Sequence, residues 1–196
     1  MFSWVRGVNR FLPPAIAVRW ARAVPDSFHA RYSAIARRYD YWLFNDPVRS
    51  PLAAGKTGWV TRALDVAAMQ VAGRLLVGRH DFSAFRAAEC QSASPVRVLY
   101  QVAVSRCGPY VAIRTVANAF LQHMVRNIVG SLVYVGIGRK PPGWIAEVLA
   151  ARDRNLAAPT FAACGLYLSG VHYPAQFELP CGVDVEPHGE LLRLLP

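Results

Sequence analysis

The 196-residue sequence predicts an α+β fold, a mostly antiparallel sheet with helices packed on one face. Three observations predict it. Val96, Val98, Tyr100, Val102 and Val104 alternate along one face, and after a turn over Arg106-Cys107-Gly108 a second apolar strand runs from Tyr110 to Val116, which is a β-hairpin. From Asn118 onward, Phe120, Met124, Ile128 and Leu132 form one apolar row and Leu121, Val125, Val129 and Val133 another, which is helical spacing. Hydrophobic residues make up 54% of the chain and charged ones 17%, with no low-complexity run, so a packed core is available.

The remaining elements follow in order. "FLPPAIAV" reads as a loop feeding a short strand through Val18 and Trp20, with no helix or strand before it. The aromatic second half of "FHARYSAIARRYDYWLFN", Phe28 to Asn45, argues for a long strand, which "NDP" ends with turn chemistry. Leu64, Ala67, Ala68, Val71, Ala72 and Leu75 predict a helix over 64–76, and "AAECQSASP" a loop. Gly138 and the pair Pro141-Pro142 stop the long helix, "GWIAEVLAARD" makes a shorter one, and a last strand runs from Leu166 to His172. There is no internal repeat and no dividing linker. Residues 1–180 read as one lobe, and 181–196 as an unassigned tail.

The net charge of +10 is uneven. Residues 1–62 hold nine arginines and Lys56 against Asp26, Asp40 and Asp46, so an anionic partner would meet this end first. Arginine suits bidentate phosphate contacts and stacking on bases, yet a basic solvated surface accounts for the charge equally well. Cys90, Cys107, Cys164 and Cys181 are scattered, without a C-x-x-C pair or histidines at ligand spacing. Neither a metal site nor a disulfide framework is expected, and a reduced cytoplasmic protein is. The longest apolar run, "NIVGSLVYVGIG", is too short to span a bilayer, and no membrane partner is expected.

Three features bear on chemistry. "VGRHDFSAF" places Asp81 two residues after Arg79, the spacing of a carboxylate nucleophile in some RNA-modifying enzymes. "ARRYDY" sets Arg37, Tyr39 and Tyr41 on one face of a strand, the mixture that a splayed-out RNA base needs; taken alone, it fits a half-buried strand with core tyrosines better. Arg126 sits on the long apolar helix with no carboxylate three or four residues away. It either snorkels to solvent or takes a partner from elsewhere in the fold.

"FHARYSAIARRYDYWLFN", "LLVGRHDFSAFRAAECQS", "RCGPYVAIRTVANAFLQHMVRNIVGSL" and "LAAPTFAACGLYLSGVHYP" occur in that order. Together they resemble the TruA-type tRNA pseudouridine synthases, from about Trp4 to Pro180. The resemblance implies a two-lobed, pseudouridine synthase-like α+β homodimer without cofactor or metal. Its implied activity isomerises uridines at positions 38–40 of the tRNA anticodon stem-loop to pseudouridine. By position, Tyr39 matches the tyrosine that stacks on the target uracil, Arg126 the arginine that pairs with the nucleophilic aspartate, and Leu166 an apolar residue that closes over the base. Arg37 and Arg38 are expected to add substrate contacts beside Tyr39. The family nucleophile lies in a G-R-T-D-A-G-V-H segment, which these residues do not contain; Asp81 instead matches L-L-G-x-x-D-F-x-x-F and is expected to fix a turn while Phe82 and Phe85 pack. The chain is therefore expected to be an incomplete copy of such an enzyme, starting inside the family pattern with an open sheet edge. The alternative is a non-catalytic tRNA-binding relic.

Overall fold

The computed structural model describes residues 2–180, which form two compact units. The smaller contains the described residues up to Ala34 together with Tyr173–Pro180. It opens with helix α1 (Phe2–Asn9). Asn9 closes the following loop through reciprocal bonds with Val18, its Nδ2 donating to the carbonyl at 2.8 Å and its Oδ1 accepting from the amide at 2.7 Å. Phe28 packs between Tyr173 and Phe177, both at 5.1 Å between ring centroids, and Arg22 pairs with Glu178. The strand expected through Val18 and Trp20 does not form, and a helix occupies the start instead. The Pro13-Pro14 pair leaves that stretch short of amide donors for a ladder.

The larger unit, Ile35–His172, holds a six-stranded sheet. Its strands are β1 (Ala36–Asn45), β2 (Gly58–Val60), β3 (Gly78–Asp81), β4 (Val96–Cys107), β5 (Tyr110–Ala117) and β6 (Leu166–His172). The order is β2-β1-β5-β4-β3, with β6 lying against the other half of the β1 edge that β2 uses. Every pairing is antiparallel except β1 with β2. β1 is thus central: Arg37–Phe44 pair with β5, and Ala36–Tyr41 pair with β6. The expected strand over Phe28–Asn45 forms only in its second half, because Phe28–Ser33 turn and His29 Nδ1 accepts from the amide of Arg31.

Helices α2 (Val66–Arg74), α3 (Met124–Gly136) and α4 (Trp144–Ala151) follow. Asp65 caps α2 by accepting from the Ala68 amide at 2.9 Å. α3 begins later than the apolar rows suggest. Asn118–His123 are a connecting turn, and His123 takes a left-handed φ of 60° immediately before the helix. The rows keep their helical phase from Met124 on. Met69, Ile128 and Leu132 from the helices join Tyr41, Leu43, Leu99, Val102 and Ile113 from one sheet face in a single core. β2 and β3 are absent from the sequence reading because three and four residues are too few to show a period.

Asp81 ends β3 and starts a turn. Its Oδ1 accepts from the Ser83 amide at 2.9 Å and the Ser83 hydroxyl at 2.6 Å, while Phe82 and Phe85 are fully buried. The tail 181–196 lies outside the described residues.

Candidate active site

The alternation of β1 decides which side chains can meet. Arg37, Tyr39, Tyr41 and Leu43 point to the helix-bearing face, and Arg38, Asp40, Trp42 and Phe44 to the other. The neighbouring β6 register sets Leu166 beside Tyr41 and Leu168 beside Tyr39, on that same face. Leu43, farther along, is fully buried beneath the helices. Toward the β6 edge the cover thins: Tyr39 and Leu166 are half-buried and Leu168 is 55% exposed. The result is an aromatic and aliphatic wall that opens at one end of the core.

Tyr39 is held by its ring. Phe120 lies edge-on at 5.1 Å between centroids, from the turn that precedes α3. That turn is tied back to β1, since Arg37 Nη1 donates to the Asn118 carbonyl at 2.7 Å. Tyr41, one step deeper, shares its hydroxyl between the carbonyls of Ala162 (2.8 Å) and Cys164 (2.7 Å). Burial raises its pKa strongly, with Arg126 pulling the other way, so the phenol stays neutral and fixes the loop ahead of β6.

Arg126 stands in the first turn of α3, partly buried. Its Nε donates to the Phe161 carbonyl at 2.7 Å, and the Phe161 amide donates to the Arg126 carbonyl at 3.2 Å. Among the described residues no carboxylate lies within 4.0 Å of it. A guanidinium carries five N–H donors; one is used, and the two Nη groups remain to meet a carboxylate end-on. Phe161 in turn packs edge-on against Tyr41 at 5.9 Å. Tyr39, Leu166 and Arg126 are therefore brought to one region, through Tyr41 and Phe161.

Arg38 is not brought there. It faces the opposite side of β1 and is 2% exposed, with its Nε donating to Ser169 Oγ at 3.0 Å and an ion pair to Asp40 at 3.9 Å. Asp40 also takes Arg114 at 2.8 Å. The sequence expectation sets Arg38 among the substrate contacts beside Tyr39; the structure places it on the other face, because consecutive strand residues alternate, with its guanidinium buried in a polar cluster. Arg37 keeps the right face, although it serves the Asn118 turn. Phe120 and the Phe161 carbonyl went unnoticed in the sequence. Phe120 reads there as one more member of an apolar row, and a backbone carbonyl leaves no side-chain signal.

An open groove of about 810 Å³ lies at the far end of α3, lined by residues that include Leu64, Asp65, Arg139 and Lys140, and does not include the wall. Among the described residues no three of His, Cys, Asp and Glu come together as a metal would require. No helix among them is long and apolar enough to cross a membrane.

Comparison with known proteins bears on this geometry. A family model described as tRNA pseudouridine synthase matches residues 72–174, which include Arg126 and Leu166. The chain belongs to the tRNA pseudouridine synthase family. It is 59% identical over 179 residues to a protein named tRNA pseudouridine synthase A in Burkholderia vietnamiensis, covering 91% of this chain and 66% of that one. A protein of the same name in Burkholderia cenocepacia is 58% identical over 180 residues, covering 92% and 67%, and one in Paraburkholderia xenovorans 58% over 178 residues, covering 91% and 66%. The chain spans about two thirds of the length of these relatives. The α+β fold and the family expected from the sequence both hold.

Proposed function

We propose that this chain forms the base-binding and arginine-bearing side of a tRNA pseudouridine synthase acting on uridines of the anticodon stem-loop. The observation that carries the reading is Arg126: a partly buried guanidinium, oriented by one backbone carbonyl, with both Nη groups facing no carboxylate among the described residues. Leaving such a charge unmatched in a half-dry site is costly, so the arrangement suits an anion supplied from outside these residues. In this proposal the anion is the nucleophilic aspartate of a G-R-T-D-A-G-V-H segment, contributed by a polypeptide portion the 196 residues do not contain.

Each side chain then has a task. The aspartate attacks the ribose anomeric carbon as the N-glycosidic bond breaks and its electron pair leaves on the uracil nitrogen. The uracil turns over, its C5 bonds the anomeric carbon and displaces the aspartate, and C5 loses a proton while the freed nitrogen gains one. Arg126 holds the carboxylate ionised and aimed. Tyr39, braced by Phe120, stacks on the flipped uracil, and Leu166 closes the site against water. Arg37 completes the substrate side, while no cofactor enters. A cytoplasmic homodimer is the proposed working form.

The test is pseudouridine formation on unmodified tRNA by the 196-residue chain, alone and with the aspartate-bearing lobe of a relative added. No product alone and product with the lobe is the expected result. Product from the chain alone would assign the nucleophile to a carboxylate within it and overturn the reading of Arg126. The excess of basic residues in 1–62 favours a second reading, tRNA binding without turnover. Salt-dependent binding with no product under either condition would select it.

A further inference from the structure

Arg126 is oriented by a carbonyl that belongs to a segment with no secondary structure of its own, "APTF" at Ala158–Phe161. What holds that segment is a buried polar cluster outside the wall. Asn127, next to Arg126 on α3 and fully buried, uses its Oδ1 to accept from Thr160 Oγ1 at 2.6 Å and from Arg154 Nη2 at 3.2 Å. Its Nδ2 donates to the Phe85 carbonyl at 2.8 Å, which fixes the amide's direction. Arg154 is a fork laid along the segment. Nη1 donates to the Ala158 carbonyl at 2.9 Å and Nη2 to Thr160 Oγ1 at 3.1 Å. Among the described residues no carboxylate lies within 4.0 Å of Arg154, so its charge is spent on neutral oxygens of this segment and Asn127. One turn further along α3, Ser131 donates to the Asn127 carbonyl and accepts from the Ala158 amide.

We infer that Asn127, Thr160 and Arg154 are positioning residues that hold the Phe161 carbonyl against Arg126 Nε and thereby aim the Nη groups of Arg126. The inference rests on the reading of Arg126 given above for its purpose, but its geometry stands on the bonds just named. Two facts separate it from ordinary loop packing. Arg126 and Asn127 are consecutive on α3, so Asn127 ties down Thr160 while Arg126 uses the next carbonyl, that of Phe161. The segment also closes its own circuit, since Phe161 N returns to Arg126 O at 3.2 Å. Loosening Thr160 by one bond therefore frees the residue immediately before the carbonyl that orients the guanidinium.

The experiment is hydrogen exchange of the Arg126 Nε–H, read by nitrogen-15 NMR on the folded 196-residue chain. Thr160→Val keeps the shape and removes the hydroxyl, Thr160→Ser restores it, and Arg154→Lys removes the fork. Thr160→Val and Arg154→Lys are expected to speed Arg126 Nε–H exchange about tenfold, the scale of one lost hydrogen bond, with Thr160→Ser close to the parent. The amides of Leu132 and Val133 should keep their rates. Unchanged Nε–H exchange in the folded variants, or an equal acceleration at Leu132, would overturn the inference, the latter by showing a general loosening. If Thr160→Val does not fold, Arg154→Lys and Thr160→Ser carry the same comparison. Failure of the functional reading is separately visible: normal turnover of Arg126→Ala with the added lobe would remove the purpose while leaving the exchange result intact.

Discussion

Arg126 and Phe161 exchange two hydrogen bonds, side chain to carbonyl at 2.7 Å and amide to carbonyl at 3.2 Å, across 35 residues of sequence. This pairing turns an arginine on an apolar helix into a directed cation. It joins α3 to the loop before β6, and with Tyr41 hydrogen-bonded to Ala162 and Cys164, it fixes the frame in which Tyr39 and Leu166 stand.

Replacing Arg126 by alanine should damage the chemical step more than binding. With the aspartate-bearing lobe supplied, turnover is expected to fall by about 100-fold or more, as when a preorganised electrostatic group is removed. The tRNA affinity should stay within about threefold, because Arg126 is turned to the aspartate and the phosphate contacts made by other basic residues remain. Single-turnover kinetics beside filter binding separate the two quantities; a loss confined to affinity would make Arg126 a substrate contact.

Tyr39 should depend on its ring more than its hydroxyl. The ring lies edge-on to Phe120, and no hydrogen bond to the hydroxyl occurs among the described residues. Tyr39→Phe is expected to retain most of the activity, and Tyr39→Ala to lose about 1–3 kcal/mol of base stacking. Comparing kcat/KM for the pair on the same tRNA decides it, equal losses pointing to the hydroxyl.

The sequence shows which face each β1 residue takes, because that rests on a period of two, while the roles of Tyr39 and Leu166 come only from the family resemblance. Alternation along "ARRYDYWLFN" already separates Tyr39 from Arg38, and the structure shows that separation as a buried Arg38–Asp40–Arg114 cluster on the other face. Helical rows identify α3 but misplace its start by several residues, since Phe120 and Leu121 are apolar for packing while His123 breaks the phase with a positive φ. Phe161 and Thr160 stay hidden for a different reason. Their contributions are one carbonyl and one hydroxyl meeting α3 from more than 30 residues away, and only the fold brings such groups together.

Asp81 should matter for stability at low pH and not for catalysis. The bonds from the Ser83 hydroxyl and amide, with Arg152 at 3.6 Å, lower its pKa against a smaller opposing effect of burial. A depressed carboxylate contributes stability that is present above its unfolded pKa and is lost as the pH falls through the folded one. Asp81→Asn is therefore expected to lower the melting temperature at neutral pH and to converge with the parent below about pH 4, near the ordinary aspartate value. Turnover with the added lobe should be unchanged. Melting curves across pH check the first claim, and lost turnover in a folded Asp81→Asn would return Asp81 to the list of nucleophiles.

Gly130 tests how closely the Arg126 frame is built. It lies on α3 one turn beyond Arg126, where a Cβ would come 2.3 Å from the Pro159 carbonyl oxygen. That oxygen belongs to backbone in the segment pinned between Ala158 and Phe161, so it cannot swing aside as a flexible side chain would. Gly130→Ala gains helix propensity of about 1 kcal/mol, but the clash should cost more, in the range of about 1–3 kcal/mol for overpacking or somewhat above. A net loss of stability is expected, measured by denaturant unfolding. Because the relief must come from moving Pro159, it should also pull the Phe161 carbonyl from Arg126 and speed Arg126 Nε–H exchange beyond the change in global stability. A Gly130→Ala chain as stable as the parent, with the Nε–H equally protected, would mean that the segment sits on α3 with room to spare.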